Sequence, residues 1–177
     1  IGFVDSDDYV DKSMFEKLLN KCIETKSEIC ICAHTTVFNE SYTNHYLPLK
    51  KDHYAGREEI IKHFIIPLIG NSMFGSNDSL EGFVWRNLYK TSFLKNLRFE
   101  SERKYFAEDV IFNLNAYKNA SVISVINECL IFYDYNPNSL SNTYREGIWK
   151  MLCNLIEKKE DIIKELQLNL NRTIVEG

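Results

Sequence analysis

The order of the opening segments most constrains what this chain can fold into. Ile1-Gly2-Phe3-Val4 is an apolar run that reads as a short buried strand and ends in Asp5-Ser6-Asp7-Asp8. Ser13-Met14-Phe15-Glu16 then fits a capping box, with hydroxyl and carboxylate answering the exposed N–H groups of a helix start. Phe15, Leu18, Leu19, Cys22 and Ile23 recur at helical spacing, so the helix is expected to run to about Lys26. Ile29 to Ala33 is a second apolar strand. Strand, acidic turn, helix and strand make an α/β layer unit.

Beyond it, His34 to Tyr54 is polar and aromatic without a sustained period, and reads as an irregular excursion or a hairpin. Gly56-Arg57-Glu58-Glu59 opens a helix whose apolar residues Ile60, Ile61, Phe64 and Ile65 are expected to stop at Pro67. Residues 70–82 are loop-forming. Phe83 to Tyr89 resembles a strand, Ser92 to Leu97 a short helix, and Glu108-Asp109 the first turn of another helix. Residues 121–135 are β-rich and lead into a turn at Asn136-Pro137-Asn138-Ser139. From about Arg145 to Leu168 a long amphipathic helix sets Ile148, Trp149, Leu152, Leu155 and Ile156 on one side.

Charge narrows the classes of partner. The net charge of -4 comes with no basic stripe, which argues against nucleic acid. The longest apolar stretch, Phe64 to Gly70, contains Pro67 and is too short to span a bilayer, and the start has no signal-peptide pattern. The five cysteines, Cys22, Cys30, Cys32, Cys129 and Cys153, are scattered and read as buried thiols of a reducing, cytoplasmic compartment. Cys30-Ile31-Cys32 lies in an apolar run and reads as core rather than as a metal site. A strand at residue 1 without a lead-in is expected to belong to a longer protein.

Asp5, Asp7 and Asp8 come directly after a strand, where open α/β sheets bind ligands. Two apart, Asp5 and Asp7 would point the same way from an extended segment and could share a hard divalent cation, leaving positions open for phosphate oxygens. A solvated turn is the plainer alternative. An EF-hand loop over Asp5 to Glu16 fails, because Val10 stands where Gly is needed and Tyr9 where a ligand is needed. A haloacid dehalogenase-like phosphohydrolase also places Asp-x-Asp after a strand, but expects Thr or Val where Asp8-Tyr9 stands.

Phe3 to Val10 resembles the Asp-x-Asp region of family 2 glycosyltransferases, which have the GT-A fold. Val84-Trp85-Arg86-Asn87-Leu88-Tyr89 with Phe93-Leu94 is similar to the segment before that family's catalytic loop. Phe106-Ala107-Glu108-Asp109-Val110-Ile111-Phe112-Asn113 resembles its Glu-Asp motif, and Tyr133 to Ser139 is similar to the end of the strand pair that the family carries after that motif. The resemblance implies a single α/β domain with a truncated GT-A fold: a mixed sheet flanked by helices over about 1–143, and a long C-terminal helical extension over about 144–177. It implies that Asp7 coordinates a Mn²⁺ or Mg²⁺ ion on the diphosphate of a nucleotide-sugar donor. Asp5 would help through the metal shell or ribose, and Asp8 would support the nucleotide-sugar loop. Asp109 is the candidate general base toward an acceptor hydroxyl, with Glu108 positioning acceptor or base and inversion at the anomeric carbon.

Trp85 and Tyr89 are candidate acceptor-stacking rings, and His34 and Arg145 weaker candidates. The implied acceptor is a saccharide or lipid-linked saccharide in surface-polysaccharide assembly, which extends the cytoplasmic location to the inner membrane face. The family's N-terminal nucleotide-binding half has no counterpart in this sequence. The chain alone is therefore expected to bind nucleotide weakly and not to transfer sugar, and an exposed sheet edge offers a route to self-pairing. The competing functions are the phosphohydrolase and a non-catalytic binding module.

Overall fold

The computed structural model describes residues 1–70, 80–137 and 146–168. Its centre is a mixed six-stranded sheet in which β1 (Tyr9–Val10), β6 (Val122–Asp134), β2 (Ile29–Phe38) and β3 (Ser41–His45) lie in that order. β4 (His53–Ala55) pairs with β6, and β5 (Asn87–Tyr89) with β2. Among the described residues only β2 and β6 run parallel, and every other strand pairing is antiparallel. A double register shift around Ala33 lets the long β2 and β6 stay paired to their ends.

Alternation along β2 builds two cores. Cys30 and Cys32 face Met14 and Leu18 of α1 (Met14–Thr25), together with Trp85, Leu130 and Ile131. Ile29 and Ile31 face the other way, onto Ile60, Phe64, Leu68, Phe112 and Tyr117. Those residues come from α2 (Arg57–Ile60), a π-helical turn (Ile61–Ile65), α3 (Ile66–Gly70) and α4 (Glu108–Asn119). Met14 and Leu18 are wholly buried, a burial that stabilises by about 1.5–3 kcal/mol for each such side chain.

Several local expectations are corrected. Ile1 to Val4 is not a buried strand: it makes one antiparallel bridge, Gly2 to Leu88, and Ile1 and Val4 are exposed. At Gly2 an added Cβ would lie 2.5 Å from Cε1 of Phe15, so a larger residue there would push the exposed Phe15 ring aside. The start of α1 is organised by Asp11 instead of a Ser13 capping box. Oδ1 of Asp11 accepts from Ser13 N (2.8 Å) and Ser13 Oγ (2.6 Å), an Asx turn one step earlier. Pro67 does not end its helix, because the wider π-turn just before it accommodates the missing N–H and the helical path runs on to Gly70. Residues 34–45 form a hairpin whose Asn39-Glu40 turn has positive φ at both residues. Of the segment 83–89 only Asn87–Tyr89 is strand, and the β-rich tail is one strand.

The C-terminal helix is α5 (Ile148–Leu166), and its inward face overlaps the one expected, since Leu155 is buried and Ile156 packs against the core. Met151, Leu155, Lys159 and Ile162 are buried, while Trp149 is exposed. Lys159 donates to the carbonyl of Ile69 at 2.9 Å, joining α5 to the end of α3. The turn residues Asn138 and Ser139, and Arg145, lie outside the described residues. Among the described residues, no helix is long and apolar enough to cross a membrane.

Candidate active site

The acidic turn is shaped by backbone closure. Asp8 N donates to Asp5 O at 3.2 Å, which folds Ser6-Asp7 into a turn. Asp5 and Asp7 therefore do not alternate along an extended strand as expected; both stand exposed on the turn. Asp8 takes the structural part, accepting from Asp134 N at 3.1 Å and so pinning the turn to the end of β6. Its second oxygen, Oδ2, is buried without a hydrogen-bond partner. Burial pushes the Asp8 carboxyl up to about 6; the Asp134 N–H opposes this, and Asp5, Asp7 and Asp134 add to it. Asp5 is likewise raised, by burial and then by Asp7. The ring of Tyr133 is half-buried, and all three carboxylates raise its hydroxyl further after burial has done so.

The second acidic pair sits in the first turn of α4. Asp109 does not cap its own helix. Its Oδ2 accepts from Val84 N, in a different loop, at 3.2 Å. Burial lifts the Asp109 carboxyl to about 7; the Val84 N–H works against the rise, while Glu108, Asp5 and Glu102 add to it. Asp5 belongs to the other motif, so the fold brings the two acidic groups into one electrostatic neighbourhood.

The loop 81–87 is held to α4 by several contacts. Asn113, one helical turn after Asp109, donates from Nδ2 to Gly82 O at 2.7 Å and accepts the Tyr89 hydroxyl at 2.6 Å. Asn87 Nδ2 donates to the Tyr89 oxygen at 2.7 Å. At Gly82 a Cβ would lie 2.6 Å from Val110 Cγ2 and 3.1 Å from Val110 Cα, so the loop touches α4 only because this residue is glycine. The buried guanidinium of Arg86 pairs with Glu81, Nη1 to Oε2 at 3.2 Å, and Nη2 donates to the Glu81 carbonyl. Sequence reasoning missed these supports. The spacing of Asn113 four residues after Asp109 was the one available signal, because it sets both on one helix face.

The two rings proposed for an acceptor are core residues here. Tyr89 is 1% exposed, and its hydroxyl is used within the Asn87–Asn113 network. Trp85 is 4% exposed, lying parallel to Phe83 (4.7 Å) and Tyr133 (5.9 Å), with His34 edge-on at 5.0 Å. Neither presents a free face in this arrangement. His34 is also buried and is held neutral, lowered to about 3 by burial, then Arg86 and His45.

Among the described residues, no group of three or more His, Cys, Asp or Glu is arranged to hold a metal ion. Magnesium-like ions are commonly held by one or two carboxylates together with substrate phosphates, and Asp5 and Asp7 supply oxygen donors of that kind.

No protein-family model matches the chain. Two bacterial sequences do. The chain is 31% identical over 148 residues to the uncharacterized glycosyltransferase EpsJ of Bacillus subtilis (strain 168), a match over 80% of this chain. It is 23% identical over 176 residues to glycosyltransferase GlyA of Streptococcus pneumoniae serotype 4, over 97% of this chain. The chain is homologous to part of bacterial glycosyltransferases. It spans 39% of EpsJ and 24% of GlyA. Its fold is that of S. aureus TarS. The TarS 1-349 complex with UDP-GlcNAc superposes with a TM-score of 0.63 at 21% identity, covering 97% of this chain and 47% of that one. A further TarS structure gives 0.59 at 22% identity, over 97% and 25%. The α/β mixed sheet with flanking helices and a C-terminal helix is thus a fold shared with part of TarS.

Proposed function

We propose that the protein transfers a sugar from a nucleotide-diphosphate donor to an acceptor hydroxyl with inversion, in the assembly of a polysaccharide or glycoconjugate. The observation that supports this reading best is the pairing of two acidic groups of unlike character. Asp5 and Asp7 are exposed on a turn, and Asp109 is a partly enclosed carboxyl whose proton affinity lies near neutrality. The homology to EpsJ and GlyA gives the reaction class, and the complex of TarS with UDP-GlcNAc suggests the donor to try first.

In this reading Asp7, with Asp5 beside it, would hold Mn²⁺ or Mg²⁺ together with phosphate oxygens of the donor. The bound ion supplies Lewis-acid stabilisation of the charge that grows on the leaving nucleoside diphosphate. Asp8 fixes the turn through its bond to Asp134 N and so sets the direction of the other two carboxylates. Asp109 takes the proton from the acceptor hydroxyl as that oxygen attacks the anomeric carbon. A base with a proton affinity near the working pH is efficient in this step, because it is both free to accept and strong enough to do so. Val84 N–H orients the carboxyl, and Glu108 positions acceptor or base.

The test uses the gene product carrying this sequence, with Mn²⁺, UDP-GlcNAc and other nucleotide sugars, and measures nucleoside diphosphate release dependent on a saccharide acceptor. Asp7→Asn and Asp109→Asn should each lower transfer by at least about 10²-fold while leaving the protein folded. Transfer at the unsubstituted protein's rate in either variant would overturn the assignment.

A further inference from the structure

One face of the sheet carries a row of tyrosines that the proposed chemistry does not use. Across β1, β6, β2 and β3, the residues Tyr9, Phe132, Thr35 and Asn44 pair directly with one another and form one row. Tyr42, opposite Val37, lies two residues along β3 from Asn44 and shares its face. The side chains are joined as well as aligned. The Tyr9 ring stacks on Phe132 at 4.8 Å with an interplanar angle of 7°. Thr35 Oγ1 donates to Asn44 Oδ1 at 2.8 Å, and Asn44 Nδ2 donates to the Tyr46 hydroxyl at 3.3 Å. Yet Tyr9, Tyr42 and Tyr46 remain 46%, 63% and 59% exposed.

We infer that this face is a platform for an uncharged saccharide chain. Three aromatic rings left open to water on one sheet face mark a binding surface rather than scattered exposure. Their chemistry selects the ligand. Each ring offers an apolar face to the C–H side of a pyranose, and each hydroxyl, with the Asn44 amide, offers hydrogen bonds to sugar hydroxyls. The connected set contains no Lys or Arg, which disfavours phosphate-rich ligands such as nucleic acid and anionic lipid. The exposed ridge of Phe15, Leu19 and Ile23 on α1 is the contrast: it is equally open but has no hydrogen-bonding group to match a sugar. The platform also adjoins the acidic turn, since Tyr9 comes next to Asp8 in the chain and Asp134 on β6 holds Asp8. A saccharide lying on it would lead toward the carboxylates, so the inference, as to which polymer is bound, rests on the glycosyltransferase reading.

The experiment titrates the isotopically labelled chain with a β-linked glucose hexasaccharide and, separately, a β-linked N-acetylglucosamine hexasaccharide, following tyrosine ring resonances. At least one sugar should move the rings of Tyr9, Tyr42 and Tyr46 saturably. The double variant Tyr42→Ala, Tyr46→Ala should bind about tenfold more weakly, and the Phe counterparts should keep most of the affinity. Amide resonances of the core report that the fold is intact in each. No saturable shift with either sugar, binding undiminished in the double Ala variant, or tyrosine shifts that track protein concentration alone would overturn the platform. The Asp109→Asn chain should bind sugar as the wild type does, so failure of the platform and failure of the transfer chemistry are read separately.

Discussion

The two acidic corners of the molecule use the same residue type to opposite ends. In the turn Asp5–Asp8 the backbone closes on itself and leaves Asp5 and Asp7 exposed at the surface, where they can meet a cation. In the first turn of α4 the carboxyl of Asp109 is drawn under the loop 81–87, where burial and neighbouring charges make its proton hard to remove. The difference lies in enclosure, and it divides the labour: one corner suits a metal, the other a proton.

Removing the charge of Asp109 breaks that comparison most severely. Asp109→Asn should lower turnover by about 10²–10⁴-fold, the usual contribution of a positioned base. The same change should make the protein more stable. Because the folded-state affinity of Asp109 is raised from 3.8 to about 7, its ionisation opposes folding. That penalty is absent below the unfolded value, grows as pH rises, and is complete above about 7. The variant should therefore gain about 1–3 kcal/mol near pH 8, discounted for partial enclosure, and nothing near pH 4, as measured by urea denaturation at both. Equal stability at both pH values would remove the enclosure argument.

Asp7→Asn should cost about 10²–10³-fold in turnover, from the loss of several kcal/mol of charge stabilisation through the metal, but leave stability unchanged. Mn²⁺ titration of transfer activity checks this: excess metal should recover part of the rate in Asp7→Asn and none in Asp109→Asn. Gly82→Ala forces the loop away from Val110 and should destabilise by about 1–3 kcal/mol in urea denaturation, with loss of the Val84 grip on Asp109. The smallest effect is expected from Asp5→Asn. Removing one of the charges that raise Asp109 should move the acidic limb of the pH–rate profile toward lower pH.

How much of this is legible in the sequence depends on how local the cause is. The helix after the acidic turn, the strand that follows it, the helix beginning at Glu108 and the hairpin after β2 come from periodicity and turn residues close in sequence. The ends of elements do not, because they are settled by contacts at long range. Asp11 displaces Ser13 as the organiser of α1, and a π-turn carries the helix past Pro67. Trp149 falls on the wet side of α5 because Met151, Leu155 and Ile162 meet the core instead. The acidic residues are visible as motifs, but their unlike proton affinities are not, since those come from Val84, Asp134 and burial across the fold. Trp85 and Tyr89 illustrate the converse error: aromatic residues beside a motif prove to be its foundation, with the Tyr89 hydroxyl tied up by Asn87 and Asn113.

The direct test of the division between the corners is the titration of the Asp109 side-chain carboxyl by carbon-detected NMR on the chain. A midpoint of about 7 that falls when Asp5 is replaced by Asn is the predicted result. A midpoint in the ordinary range near 3.8, unmoved by Asp5→Asn, would contradict it.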